Sequence, residues 1–193
     1  MTEQEILNIL QPETDLERRL MSQPEMLEGL NWGEPRYGHP EGKVAYHVVD
    51  VFANIKRLSP ALNADAYRQM RLIALLHDAF KYVESKETPR DWTRHHGILA
   101  RQFAENFTDE KCVLDIIELH DEAYYCWRLA ILDDEIEQAA ARFQSLFKRC
   151  GYCLQLYYAF FRCDTATGDK TQAPVKWFEK KNLPIQKITF TPK

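Results

Sequence analysis

The stretch Leu72-Ile73-Ala74-Leu75-Leu76-His77-Asp78-Ala79-Phe80-Lys81 carries a His-Asp doublet into an apolar run, with a lysine three residues past the aspartate. A histidine and a carboxylate are costly inside a core unless they are hydrogen-bonded or bound to a cation. Neighbouring residues on a helix sit about 100° apart, so both side chains reach one crevice, and a shared divalent metal is the economical reading. The chain holds six histidines: His39, His47, His77, His95, His96 and His120. Four fall on predicted inward faces of separate helices, namely His47, His77, one of His95 and His96, and His120. Asp164 follows Tyr157, Tyr158, Phe160 and Phe161, and a carboxylate emerging from so apolar a helix needs a partner. Imidazole and carboxylate together suit Fe, Mn, Co, Ni or Zn. Helical bundles build such centres by drawing ligands from separate helices.

The elements that must position these residues read as almost entirely helical, with seven glycines and few β-branched runs. Residues 14–30 predict one helix with a break near Pro24, and 31–42, with three glycines and two prolines, predict a loop. Val44, Val48, Val51, Phe52 and Ile55 form the apolar side of a helix over 44–58, ended by Ser59-Pro60. Asp65 is the expected cap of a helix that runs to Tyr82 and contains the doublet. A helix over 92–106 offers Ile98, Leu99, Phe103 and Phe107 to the core, and the next turns Val113, Ile116, Ile117 and His120 inward. From Leu132, the positions Leu132, Ile136, Ala139, Phe143 and Leu146 step by four and three, a helix packing seam. Residues 152–163 predict an aromatic core helix, the tail with Trp177 and Phe178 a cover for one edge, and 188–190 a short strand.

Composition bounds the possibilities. The chain has 193 residues, enough for one domain with a real core, and its 45% hydrophobic and 28% charged residues are ordinary globular values. A formal charge of -4 with no basic stripe argues against general nucleic-acid binding while leaving room for a small anion held by local cations. No apolar run reaches the roughly 18 residues of a membrane span. The acidic start Met-Thr-Glu-Gln-Glu lacks the basic region of a signal peptide, so a cytoplasmic location is expected. An assembly of identical chains is compatible with all of this. Five cysteines scattered over helix-like sequence are expected to be reduced and packed. Cys150-Gly-Tyr-Cys153 has redox spacing but no strand–helix pattern around it.

The order His47 … His77-Asp78 … His96 … His120 … Asp164 resembles the HD domain superfamily of metal-dependent phosphohydrolases. Gly38-His39-Pro40-Glu41-Gly42-Lys43-Val44-Ala45-Tyr46-His47 is similar to the HPEG…H opening of many members. His77-Asp78-Ala79-Phe80-Lys81 matches the HDxxK pattern, with Phe80 in place of the usual small residue. Arg94-His95-His96-Gly97-Ile98-Leu99-Ala100 is similar to the family's basic-His segment, a register that favours His96 over His95 because Ala100 then lies four residues on. The resemblance covers roughly residues 36 to 170. It implies an all-α HD-domain helical bundle with a metal site at its centre, and residues 1–193 are expected to form this one domain, with N- and C-terminal extensions.

The resemblance further implies that His47, His77, Asp78 and Asp164 hold one divalent metal. His96 and His120 complete a second, with Asp78 bridging. Such a pair activates a water for attack on phosphorus and neutralises the phosphoryl charge. Asp78, Lys81 and Asp121 are then the catalytic candidates, Asp121 by orienting a histidine or the water. Lys81 is the first expected phosphate contact, followed by Arg94, His95 and His39. The implied activity is hydrolysis of a nucleotide or similar small phosphoester. Two alternatives are an HD-fold di-iron oxygenase of a small hydroxylated substrate, which uses the same six ligands, and a non-catalytic nucleotide-sensing HD module. HDxxK favours phosphate, and an intact ligand set argues against a pure sensor. Singly, each residue has an innocent explanation: a core histidine with satisfied nitrogens, a solvated Lys81, a loop His39, a turn at Asp164-Thr165.

Overall fold

The computed structural model describes residues 1–189. Among these the chain is helical with no strand; one isolated bridge pairs Arg36 with His39. Three short N-terminal helices come first: α1 (Glu3–Leu10), α2 (Asp15–Met21) and α3 (Pro24–Asn31). Thr2 and Glu5 make a reciprocal capping box on α1, Thr14 caps α2, and Pro24 opens α3 where its missing N–H costs nothing. The central elements are α4 (Val44–Leu58), α5 (Ala64–Leu76), α6 (His96–Ala104) and α7 (Lys111–Leu119). Then follow α8 (Glu122–Ile131), α9 (Ile136–Cys150), α10 (Leu154–Thr165) and α11 (Ala173–Glu179). One apolar core runs from Ile6 through α4, α5, α7 and α10 to Phe178. No helix among the described residues is long and apolar enough to cross a membrane.

Several expectations need correction. The break expected near Pro24 is present and divides 14–30 into two helices, whereas α1, which precedes them, was not expected. Asn63, not Asp65, caps α5 by accepting from the Ala66 N–H. That helix stops at Leu76 rather than Tyr82, so His77 sits at its C-cap and Asp78 to Lys81 form turns. The cause is tertiary: Gly29 of α3 backs onto the turn so closely that a Cβ there would lie 1.7 Å from the Ala79 carbonyl oxygen. The helix expected over 92–106 is a 3₁₀ turn, Trp92–Arg94, followed by α6. Its Ile98, Leu99, Phe103 and Phe107 are only half-buried, since α6 meets α7 through the small residues Gly97, Ala100 and Ala104. A Cβ on Gly97 would come within 2.5 Å of the Glu118 carbonyl oxygen. In the seam starting at Leu132, only Ala139 and Leu146 are buried, and Phe143 is half-buried; Leu132 and Ile136 are exposed, and the separate helix α8 precedes them. Thr189 and Ile188 carry no strand, and Phe190 lies outside the described residues. Phe178 does cover an edge, stacking on Tyr158. The five cysteines are free thiols.

A polar cluster pins α7 to α9. Buried Asp115 accepts from Arg101 at 2.7 Å, from Arg149 and Tyr152 at 3.1 Å, and from Lys111. Burial would raise its pKa, but these donors hold it down to about 2 from the usual 3.8. The folded value lies below the unfolded one, so the contribution to stability is complete above the ordinary carboxylate range and fades as pH falls from about 4 toward 2. Urea midpoints of the wild type should therefore fall more steeply over that window than those of Asp115→Asn. Parallel midpoint curves would refute this role.

Candidate metal centre

Four histidines reach one buried crevice from four elements. His47 lies on the first turn of α4, His77 caps the end of α5, His96 opens α6, and His120 caps the end of α7. Each turns its Nε2 inward. The Nδ1 of His77 donates to the Ala74 carbonyl at 2.9 Å, and that of His120 to the Ile117 carbonyl at 2.8 Å. A carbonyl can only accept, so in both rings Nδ1 carries a proton and the Nε2 side is the one left to face a cation. The Nδ1 of His47 lies 3.1 Å from Glu41 Oε1, and that of His96 lies 3.3 Å from Glu84 Oε2, near pairs without hydrogen-bond alignment.

Asp78 occupies the middle. Its Oδ2 lies 3.6 Å from His77 Nε2 and 3.9 Å from His47 Nε2. Its Oδ1 lies 3.4 Å from His96 Nε2 and 3.5 Å from His120 Nε2, which are 3.2 Å from each other. Asp164 Oδ1 adds to the first group, 2.9 Å from His47 Nε2 and 3.8 Å from His77 Nε2. The two oxygens of one carboxylate thus face two separate histidine pairs. His47, His77 and Asp78 are close enough to hold one ion, as are Asp78, His96 and His120.

The surrounding sequence explains why these atoms meet. Buried Asn54 of α4 donates to the Cys163 and Ala166 carbonyls at 2.8 and 3.2 Å, fixing the end of α10 where Asp164 emerges. The Tyr157 hydroxyl donates to the Leu119 carbonyl and accepts from the Ala123 N–H, clamping the turn that carries His120 and Asp121. Phe160 packs edge-on against the His77 ring at 5.2 Å.

The electrostatics are those of a carboxylate cluster in need of positive charge. Burial would raise Asp78 and Asp164, yet His77 and Lys81 hold the first well below the usual range, and Lys170 and His47 do the same for the second. Burial likewise opposes Asp121, which His120, His96 and Lys81 bring to about 2. Burial depresses His77 to about 3. It also opposes the charged form of His120, but Asp121 and Asp78 lift that ring to about 9. Buried His77 Nε2 and Asp78 Oδ1 have no hydrogen-bond partner. Buried polar atoms are rarely left so, and a lone pair and a carboxylate oxygen aimed at one point fit a divalent cation. The residues present therefore suit the group that the sequence implied.

The remaining candidates divide. Lys81 Nζ donates to Asp78 Oδ2 at 2.6 Å, and burial notwithstanding, Asp78 and Asp121 keep its pKa raised. Lys81, His39 and Asp121 line the cavity beside the cluster. His95 stands behind it, accepting from the Gly97 N–H as the cap of α6, with its Nε2 3.4 Å from the Tyr125 hydroxyl. Arg94 is exposed and outside the cavity. Three participants escaped sequence reasoning. Glu41 was visible only as a motif letter. Glu84, held by Arg90 against His96, reads in sequence as a solvated loop acid. Lys170 donates to Asp164 Oδ1 at 2.8 Å from a loop with no pattern.

The fold and the site together define an all-α protein whose separate helices converge on a buried His/Asp cluster fit for divalent cations. Residues 44–134 match the family model of the HD domain, a family whose members are mostly metal-dependent hydrolases. The match spans His47, His77, Asp78, His96, His120 and Asp121, while Asp164 lies beyond it. Comparison with curated proteins gave no match, and comparison with solved structures gave none.

Proposed function

We propose that the chain is a metal-dependent phosphohydrolase acting on a nucleotide or another small phosphoester, with residues 1–193 as one domain. The observation that carries this reading is the placement of Asp78, whose Oδ1 and Oδ2 face different histidine pairs. His47, His77 and Asp164 would hold one divalent ion and His96 and His120 a second, with Asp78 shared between them. Bound there, such ions supply Lewis acidity and ease proton loss from water near neutral pH.

The chain's own groups do the rest. Lys81 and Lys170, now paired with Asp78 and Asp164, point ammonium groups at the place where a phosphoryl group would lie. Asp121 Oδ2, 3.5 to 3.7 Å from the Nε2 atoms of His96, His120 and His95, is placed to orient those rings and to accept a proton from the attacking water. Glu41 and Glu84 lie beside the Nδ1 atoms of His47 and His96, on the side of each ring away from Asp78. The lysines favour an anionic substrate over the neutral hydroxylated one of a di-iron oxygenase.

Elemental analysis of anaerobically purified protein, alongside phosphate release from a panel of phosphoesters, tests the proposal. About two metals per chain with phosphate release is the expected result. Two irons, no hydrolysis and substrate-dependent oxygen uptake would replace it with the oxygenase, and absence of metal under every condition would sink both enzymes. On the same assays His96→Ala should lose metal and activity together, whereas His95→Ala, which removes a helix cap and contacts to Tyr125 and Asp121 but no ligand, should be milder. The reverse order would show that the wrong histidine had been given the ligand role.

A further inference from the structure

The cavity beside Asp78 encloses about 480 Å³ and has two chemically different ends. One is the cluster itself with Lys81 and Asp121. The other is walled by Tyr124 and Trp127 of α8 and Phe161 of α10, with Leu132 and Tyr37 at its rim. The rings of Tyr124 and Trp127 lie 5.8 Å apart and tilted by 40°, so they present a broad apolar wall rather than packing flat on each other. Tyr37 is 79% exposed and Leu132 61% exposed, although both are large and apolar. Leu132 breaks from the helix seam that its spacing predicts, and its place at this rim gives that exposure a use.

The charges speak to the other half of the ligand. Lys81 and Lys170 are the lysines among the described residues lining the cavity, with no arginine beside them. Each already answers a carboxylate, Asp78 at 2.6 Å and Asp164 at 2.8 Å. Two such ammonium groups, with the ions the cluster would hold, suit a phosphoryl group at that end of the cavity, and further phosphates reaching away from it would run along an apolar wall.

We infer that the substrate is a phosphate monoester whose alcohol portion carries a flat, apolar or aromatic group, seated against Tyr124, Trp127 and Phe161. This rests on the reading of the site as a phosphoryl centre. Flat rings stack on aromatic side chains whatever their substituents, and exposed tyrosines lining a cavity are suited to this.

Phosphonates test it without turnover, because their C–P bond is not the one hydrolysed. The full chain loaded with Mn(II) is titrated calorimetrically with phenylphosphonate and with propylphosphonate, which carry the same charge with and without a ring. Phenylphosphonate should bind about tenfold tighter. Tyr124→Ala should bring the two within about threefold, and so should Tyr37→Ala, whose exposed side chain poses no risk to folding. Near-equal binding to the wild type would overturn the aromatic subsite and leave the phosphoryl centre standing. Tripolyphosphate binding far tighter than inorganic phosphate would overturn the single-phosphate part. Failure of both phosphonates and of inorganic phosphate to bind would overturn the phosphoryl reading and this inference with it.

Discussion

Asp78→Ala and His77→Ala are each expected to yield a folded chain that retains no metal and no hydrolytic activity. Asp78 is the residue whose two oxygens meet both histidine pairs, so its loss strips a ligand from each half of the centre at once. His77 Nε2 has nothing else to bind, and its Nδ1 is already committed to the Ala74 carbonyl. Losing an outer partner of a metal ligand typically costs 10–100-fold in affinity, and losing the ligand should exceed about 100-fold. Elemental analysis after gel filtration reads this directly, and circular dichroism checks that the helices persist. Asp78→Asn separates charge from shape: it fills the same space and should fail as completely. Full metal content in either alanine variant would show that the cluster is a buried polar network and not a metal centre.

Glu17→Ala should destabilise the protein by about 3–5 kcal/mol, the cost of leaving a buried charge without its partner. Arg71 of α5 is 5% exposed, and Glu17 of α2 is 2% exposed. The guanidinium donates to both oxygens of Glu17 at 2.8 Å, lies 3.1 Å from Glu13, and rests 4.0 Å above the Phe52 ring. Removing the carboxylate leaves that buried cation with the more exposed Glu13 and the Gln11 carbonyl as its remaining partners. The urea midpoint should fall with an unchanged slope. A double replacement, Glu17→Leu with Arg71→Met, should recover much of the loss, because well-packed apolar pairs commonly match buried ion pairs. A single-variant loss under 1 kcal/mol would mean that water reaches Arg71.

How much of this was legible in the sequence follows from where the signals come from. The helix over 44–58 was readable to the residue, because its apolar positions recur at helical spacing and Ser59-Pro60 closes it. The histidines and aspartates of the crevice were readable because polar groups in apolar runs demand an explanation. The end of α5 was not. Leu72 to Phe80 contains no glycine or proline, and the stop comes from the backbone of Gly29, far away in sequence. Glu84 and Lys170 were invisible for a related reason: their partners, His96 and Asp164, come from other elements, and a charged loop residue advertises nothing about where its loop will fold. Leu132 and Ile136 kept perfect seam spacing yet face outward, since periodicity states that a helix has an apolar side and not what covers it.

The contact between Gly29 and Ala79 also sets an order of events. A chain made from its N-terminus folds in that direction, so α3 leaves the ribosome before the His77-Asp78 turn has been synthesised. The surface against which that turn is shaped is then waiting when the turn arrives. Of the three N-terminal helices, which lie outside the family match, α3 supplies the position without a Cβ that this bend packs against.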